Sequence, residues 1–142
     1  VHDLVAGQPA LDIDLEVALQ KACRRLVSEG VARSAHDCSD GGLAVALAES
    51  CIAGNVGVNV GTELSGRWDA ALFGETQSRI VMSLSTADMG KLASICSEEG
   101  VPYFELGVTE GDSLKIGSLL DVAVTELQAS WQGGIPQALD QH

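Results

Sequence analysis

The sequence predicts an α/β or α+β fold, a mixed sheet layered with helices. Three observations predict it. Segments with a helical apolar period alternate along the chain with segments of period two. Hydrophobic residues make up 46 % of the 142 residues, enough to fill a core. Aromatics supply only 4 %, so Ala, Val, Leu and Ile must build that core.

The elements follow in order. Val1–Ala10 reads as a linker ended by Pro9, and residues 11–142 read as one domain. Leu15, Leu19, Ala22 and Leu26 form a helical stripe, with Asp12 or Asp14 as N-cap and Gly30 at the stop. Val31–Cys38 reads as a strand, and Ser39-Asp40-Gly41-Gly42 as the turn into a helix from Leu43 to about Ile52. That helix is apolar nearly all round, so it should be buried on more than one side. Val56, Val58 and Val60 alternate as a strand does. Gly61–Arg67 reads as a loop, Asp69–Phe73 as a short helical turn and Arg79–Ser85 as a strong strand. Thr86 is the natural N-cap of a helix over Ala87–Glu99 with Gly100 as its stop. Tyr103–Val108 and Ser113–Ile116 read as strands joined by a Glu110-Gly111-Asp112 turn. A helix over Val124–Trp131 precedes Gly133-Gly134-Ile135-Pro136.

Charge and motifs narrow the function. Eight Lys and Arg face twenty Asp and Glu, a net charge of −12. That speaks against a nucleic-acid module, which needs a basic surface, and against a polybasic membrane helix. No apolar stretch is long enough to span a bilayer. The chain starts at Val1 without a signal-peptide pattern and reads as a piece of a longer protein. Cys23, Cys38, Cys51 and Cys96 lack metal-ligand spacing, and three lie in apolar helical patterns, as free thiols of a reducing cytoplasm do. Walker-type, dinucleotide-binding and serine-hydrolase motifs are absent. Trp68 and Trp131 read as packing anchors at core edges. The acids of the first and third helices read as a solubilising face.

Two segments can carry chemistry. In Ser34-Ala35-His36-Asp37-Cys38-Ser39-Asp40-Gly41-Gly42, acids, a His and a Ser precede a helix opened by paired glycines. Such a turn presents main-chain N–H groups to an anion. Asp37 or Asp40 could hold a hard cation such as Mg²⁺ together with phosphate oxygens. The same residues also suit plain capping, with Ser39 or Asp40 as the cap. In Leu72-Phe73-Gly74-Glu75-Thr76-Gln77-Ser78-Arg79, the residues Glu75, Gln77 and Arg79 alternate. They would share one face if the following strand started early, making a polar ligand surface. A solvated strand entry with a Glu–Arg pair is the plainer alternative.

The strings Ser34–Glu49 and Leu72–Ser83, about forty residues apart and in this order, resemble the signatures of the last domain of small-type phosphoribosylformylglycinamidine synthases. Val101-Pro102, Gly107, Trp131 and Ile135-Pro136 fit the same pattern, which covers the chain from Ala10 onward. The resemblance implies a fold shared with the C-terminal domain of aminoimidazole ribonucleotide synthetase. It implies one α/β domain, in the second of two fused copies, of a cytoplasmic ligase of purine biosynthesis. That enzyme converts formylglycinamide ribonucleotide, ATP and ammonia to the amidine through an iminophosphate, with Mg²⁺ as cofactor. Its partners would be a glutaminase subunit, a small bridging subunit and the ATP-binding and first-copy domains of the same chain.

For single residues the resemblance implies the following. The position of Asp37 binds Mg²⁺ in the first copy, and the Glu-Ser-Gln tripeptide matching Glu75-Thr76-Gln77 contacts substrate there. In the second copy the same positions face a pseudo-symmetric site. The candidates for it are His36, Asp37, Ser39, Asp40, Gly41, Gly42, Glu75, Thr76, Gln77 and Arg79. Thr76 replaces Ser and keeps the hydroxyl; Cys38 replaces the commoner Val and stays small and apolar. The family's catalytic His and ATP-binding Lys lie in the ATP-binding domain, so the chain alone is expected to be inactive. Two alternatives remain open: a structural or subunit-docking domain with an empty pseudo-site, and a domain of a related enzyme such as aminoimidazole ribonucleotide synthetase, selenophosphate synthetase or thiamine-phosphate kinase.

Overall fold

The computed structural model describes residues 11–62 and 66–139, the last five by backbone alone, so the expected linker Val1–Ala10 lies outside the described residues. In chain order the elements are α1 (Ile13–Ser28), β1 (Ala32–Asp37), α2 (Gly42–Gly54), β2 (Val58–Val60), α3 (Trp68–Phe73), β3 (Ile80–Leu84), a 3-10 turn (Thr86–Asp88), α4 (Met89–Glu99), β4 (Gly107–Thr109), β5 (Ser113–Ile116), β6 (Leu120–Ala123) and α5 (Val124–Leu139). The expected mixture of helices and a mixed sheet is present. The contacts divide it into two units, one holding the residues up to Ser39 with Glu75–Tyr103, the other Asp40–Gly74 with Phe104 onward.

In the first unit, α1 begins where Asp12 accepts the Leu15 amide at 3.0 Å. It stops at Gly30, whose φ of +68° is easy for glycine and strained for other residues. Its inward stripe, Ala22 and Leu26, meets Val31, Leu92, Ile95, Cys96 and Val101 in one core cluster. Ala32, Met82 and Leu84 of the antiparallel β1–β3 pair close that core. The start of α4 differs from expectation. Ser85, not Thr86, provides the side-chain cap, accepting the Ala87 amide at 3.4 Å. One 3-10 turn then leads into α4, because Ser85 has the extended backbone of a cap residue.

In the second unit, Leu43, Ala44, Ala46, Leu47 and Cys51 of α2 are buried on one broad face, and Val45, Ala48 and Ile52 on the opposite side are half-buried. Helices α3 and α5 and strand β5 all pack against α2. The sheet order is β4-β2-β5-β6, with β2–β5 parallel and the other pairs antiparallel. Thus β4 and β5 do not pair with each other. The turn between them instead straddles the start of β2: Gly57 donates to the Gly111 carbonyl at 2.8 Å and accepts from Glu110 at 3.0 Å. Three further differences belong here. Strand β4 begins only at Gly107, β6 is an additional strand, and α5 continues through Gly133, Gly134 and Pro136 to Leu139. Trp68 and Trp131 are 53 % and 63 % exposed, so neither anchors a core edge. On α3 the inward position is Leu72 instead.

All four thiols are free; Cys38, Cys51 and Cys96 are buried. Among the described residues no helix is long and apolar enough to cross a membrane.

Candidate functional site

The candidate residues divide between the units. His36, Asp37, Ser39, Glu75, Thr76, Gln77 and Arg79 belong to the first, and Asp40, Gly41 and Gly42 to the second. Within the first unit the two signature segments converge. Asp37 pairs with Ile80 in the β1–β3 register, and the Cys38 amide donates to the Arg79 carbonyl at 3.1 Å. Antiparallel pairing thus sets the first residues of one motif beside the last residues of the other.

Asp37 stands at the end of β1 with its carboxylate two-thirds exposed. The Ser39 hydroxyl donates to its Oδ2, and that bond holds the carboxyl below the usual aspartate range. His36 Nδ1 lies 2.7 Å from the Asp37 carbonyl. A carbonyl only accepts, so Nδ1 is the donor of this bond. The same Nδ1 is 3.7 Å from Asp37 Oδ1, close enough for a protonated ring to add to the carboxylate's stability. Cys38 points inward, and burial pushes its thiol up despite the nearby Arg79. It is therefore a packing residue rather than a nucleophile.

Glu75, Thr76 and Gln77 are exposed. The expected early strand start is not observed, because β3 begins at Ile80 and Ser78 has φ +60°. A left-handed residue between Gln77 and Arg79 breaks the period of two, so Glu75, Gln77 and Arg79 do not form one strand face. They form a loop instead. Ser78 Oγ donates to Glu16 Oε2 at 2.6 Å, and Gln20 Nε2 donates to Glu16 Oε1 at 2.7 Å. These two bonds hold the Glu16 carboxyl below its ordinary range. Glu16 and Ser78 were not among the expected site residues. By pattern Glu16 is one more acid on a polar helix face, and only the fold brings it to a residue 62 positions away.

In the second unit, α2 opens at Gly42 with Gly41 as its N-cap, at φ +74° and +76°. No side chain caps it, so the expected capping by Ser39 or Asp40 is not observed. The reason is local: the cap position falls on a glycine, and the Ser39 hydroxyl is committed to Asp37. Gly42 is required sterically. A Cβ there would lie 2.6 Å from the Leu72 carbonyl oxygen and 2.8 Å from Phe73 backbone atoms. Gly42 of one motif is thus seated against the first two residues of the other, while a Cβ at Gly41 would meet the Val45 side chain.

The donor set limits what could be held. Among the described residues no group of three or more His, Cys, Asp and Glu side chains could hold a metal ion. Asp37 is an ionised, exposed carboxylate, which fits Mg²⁺ as one ligand among phosphate oxygens and water.

Comparison with known proteins adds the family. Residues 2–117 match the family model described as AIR synthase related protein, C-terminal domain. The chain is 42 % identical over 142 residues to phosphoribosylformylglycinamidine synthase subunit PurL of Thermomicrobium roseum, covering 96 % of this chain and 19 % of the relative. Among solved structures, phosphoribosylformylglycinamidine synthase II from Thermotoga maritima shares the fold, with a TM-score of 0.71 at 21 % identity over 83 % of this chain and 22 % of that one. Thermotoga maritima PurL complexed with ATP gives a TM-score of 0.66 at 21 % identity, covering 78 % of this chain and 21 % of that one. The chain therefore spans about a fifth of the length of the relatives it matches.

Proposed function

Since the chain belongs to the AIR synthase related family as its C-terminal domain, we propose that it is the last α/β domain of a phosphoribosylformylglycinamidine synthase. The whole enzyme is a cytoplasmic ATP-dependent ligase. It makes formylglycinamidine ribonucleotide from formylglycinamide ribonucleotide and glutamine-derived ammonia. It works with a glutaminase subunit and a small bridging subunit. Within it, this domain presents Asp37 and the loop Glu75-Thr76-Gln77 to a phosphorylated ligand, the ribonucleotide or ATP.

One observation carries this reading: the Cys38–Arg79 main-chain bond draws both signature segments to one end of the β1–β3 pair. Carboxylates at that end repel a bare phosphate, so the ligand would arrive with Mg²⁺, which Asp37 can help to hold. When bound there, Mg²⁺ would supply charge neutralisation for the phosphate oxygens. Ser39 orients Asp37 and favours its ionised form; Gln77 and Thr76 carry neutral side chains that would hydrogen-bond the ligand. The 42 % identity to the Thermomicrobium relative, over a match that covers 96 % of this chain, supports the assignment.

The test is Asp37→Asn in the full-length enzyme. Amidine formation is assayed while Mg²⁺, ATP and the ribonucleotide are varied in turn. Loss of one charged contact should raise the Mg²⁺ requirement about tenfold. Unchanged turnover and Mg²⁺ dependence in a folded variant would make the domain a structural one.

A further inference from the structure

We infer that Glu16, on the first helix, is a positioning residue that fixes the ligand-facing loop Glu75-Thr76-Gln77 by accepting the Ser78 hydroxyl. This rests on the preceding reading of that loop as ligand-contacting. The loop is exposed on three successive residues, so packing does little to select one conformation. Two hydrogen bonds hold its far end, where it enters the strand. One is accepted by the Arg79 carbonyl from the Cys38 amide at 3.1 Å. The other is made by Ser78, one of two non-glycine residues with positive φ among the described residues. A left-handed backbone is unfavourable for serine and persists only where its surroundings enforce it. The 2.6 Å bond from Ser78 Oγ to Glu16 Oε2 supplies that enforcement. Glu16 is itself oriented, since Gln20 one turn along donates to its other oxygen at 2.7 Å. The carboxyl stays ionised because both bonds favour the charged form. The main-chain turn at Ser78 sets the direction in which Gln77 leaves the strand end. Glu16 thus acts on the ligand through Ser78 without touching it.

The full-length enzyme tests this. Steady-state assays vary formylglycinamide ribonucleotide and Mg²⁺-ATP in turn, and Gln77→Ala identifies which KM the loop controls. Glu16→Ala and Ser78→Ala should each raise that KM on the order of fivefold, the size of one lost hydrogen bond, with kcat little changed. The double variant should raise it no further than either single change, because both break the same bond. Glu16→Gln keeps an oxygen acceptor and should restore most of the affinity. It also stands in as the informative variant if Glu16→Ala does not fold. A rise with Gln77→Ala but none with Glu16→Ala or Ser78→Ala overturns the tether and leaves the loop's ligand contact standing. No rise with any of the three removes the ligand contact and the tether's role together. Lowered thermal stability with unchanged KM would make the Glu16–Ser78 bond merely structural.

Discussion

Two glycines with almost the same backbone carry different loads. Gly30 has φ +68° and Gly42 φ +74°, so an alanine at either would meet the left-handed penalty. A Cβ at Gly30 would have nothing within 4 Å, whereas at Gly42 it would press on the Leu72 carbonyl at 2.6 Å. Main chain cannot swing aside as a side chain can, so the second cost adds to the first. Gly30→Ala should therefore lower stability by about 1 kcal/mol, and Gly42→Ala by about 2–5 kcal/mol. Urea denaturation of both variants checks this. Equal losses would mean that the Leu72–Phe73 backbone does not press on Gly42. At this scale the sequence shows that glycines open α2, but not why. A turn signal is the same whether the glycine serves φ, close approach or a ligand. Glu16 and Ser78 were illegible for a related reason, since no local pattern marks a hydrogen bond across 62 residues.

At the scale of elements, α1 and α4 are joined by a polar clasp above an apolar seam. Arg25 donates to Glu98 at 2.8 Å and to Glu99 at 2.9 Å, and it lies 3.5 Å from Glu29 on its own helix. The Arg25 guanidinium is the first cause of a lowered Glu98 carboxyl. A carboxyl lowered on folding adds stability that is complete above its unfolded pKa of about 4.3. That stability fades as pH falls through the lowered folded value. All these groups are partly open to solvent, so the clasp is screened. Arg25→Gln should lower the melting temperature by a few degrees at most, and the loss should shrink in high salt and below about pH 4. Scans at two salt concentrations and two pH values check it; a loss indifferent to both would assign the effect to the packed stem of Arg25 instead. The seam outweighs the clasp, since Leu26 is 3 % exposed and its truncation belongs to the class that costs about 2–5 kcal/mol. Helices α1 and α4 were legible from long apolar stripes closed by Gly30 and Gly100, and α2 from its glycine turn and apolar composition. The sheet of the second unit was less so. A short turn between two strand patterns reads as a hairpin, yet β2 enters between β4 and β5, a non-local pairing that no window along the chain contains. The proline in α5 is a similar case, where a local breaker signal did not end the helix.

At the scale of the whole molecule, the chain holds one set of groups and lacks the rest. It spans about a fifth of its relatives and carries no phosphate-cradling loop of its own. The candidate groups that would meet ligand are open: Asp37, Glu75, Thr76 and Gln77 are all exposed. Phosphoryl transfer is accelerated by fixing the nucleotide, its metal and the acceptor in line, and by excluding water from the transferring group. An exposed carboxylate and an exposed loop achieve neither, and the rate gained by orientation, worth about 7–11 kcal/mol in favourable cases, is out of reach. The purified 142-residue chain, shown to be folded by its circular dichroism, should therefore form no formylglycinamidine ribonucleotide from the ribonucleotide, ATP and ammonia. The full-length enzyme should form it under the same conditions. The measurement is ATP-dependent product over a blank without ATP. Product made by the short chain at even a few per cent of the full-length rate would mean that these residues already assemble a reacting site, and the division of labour argued here would fail.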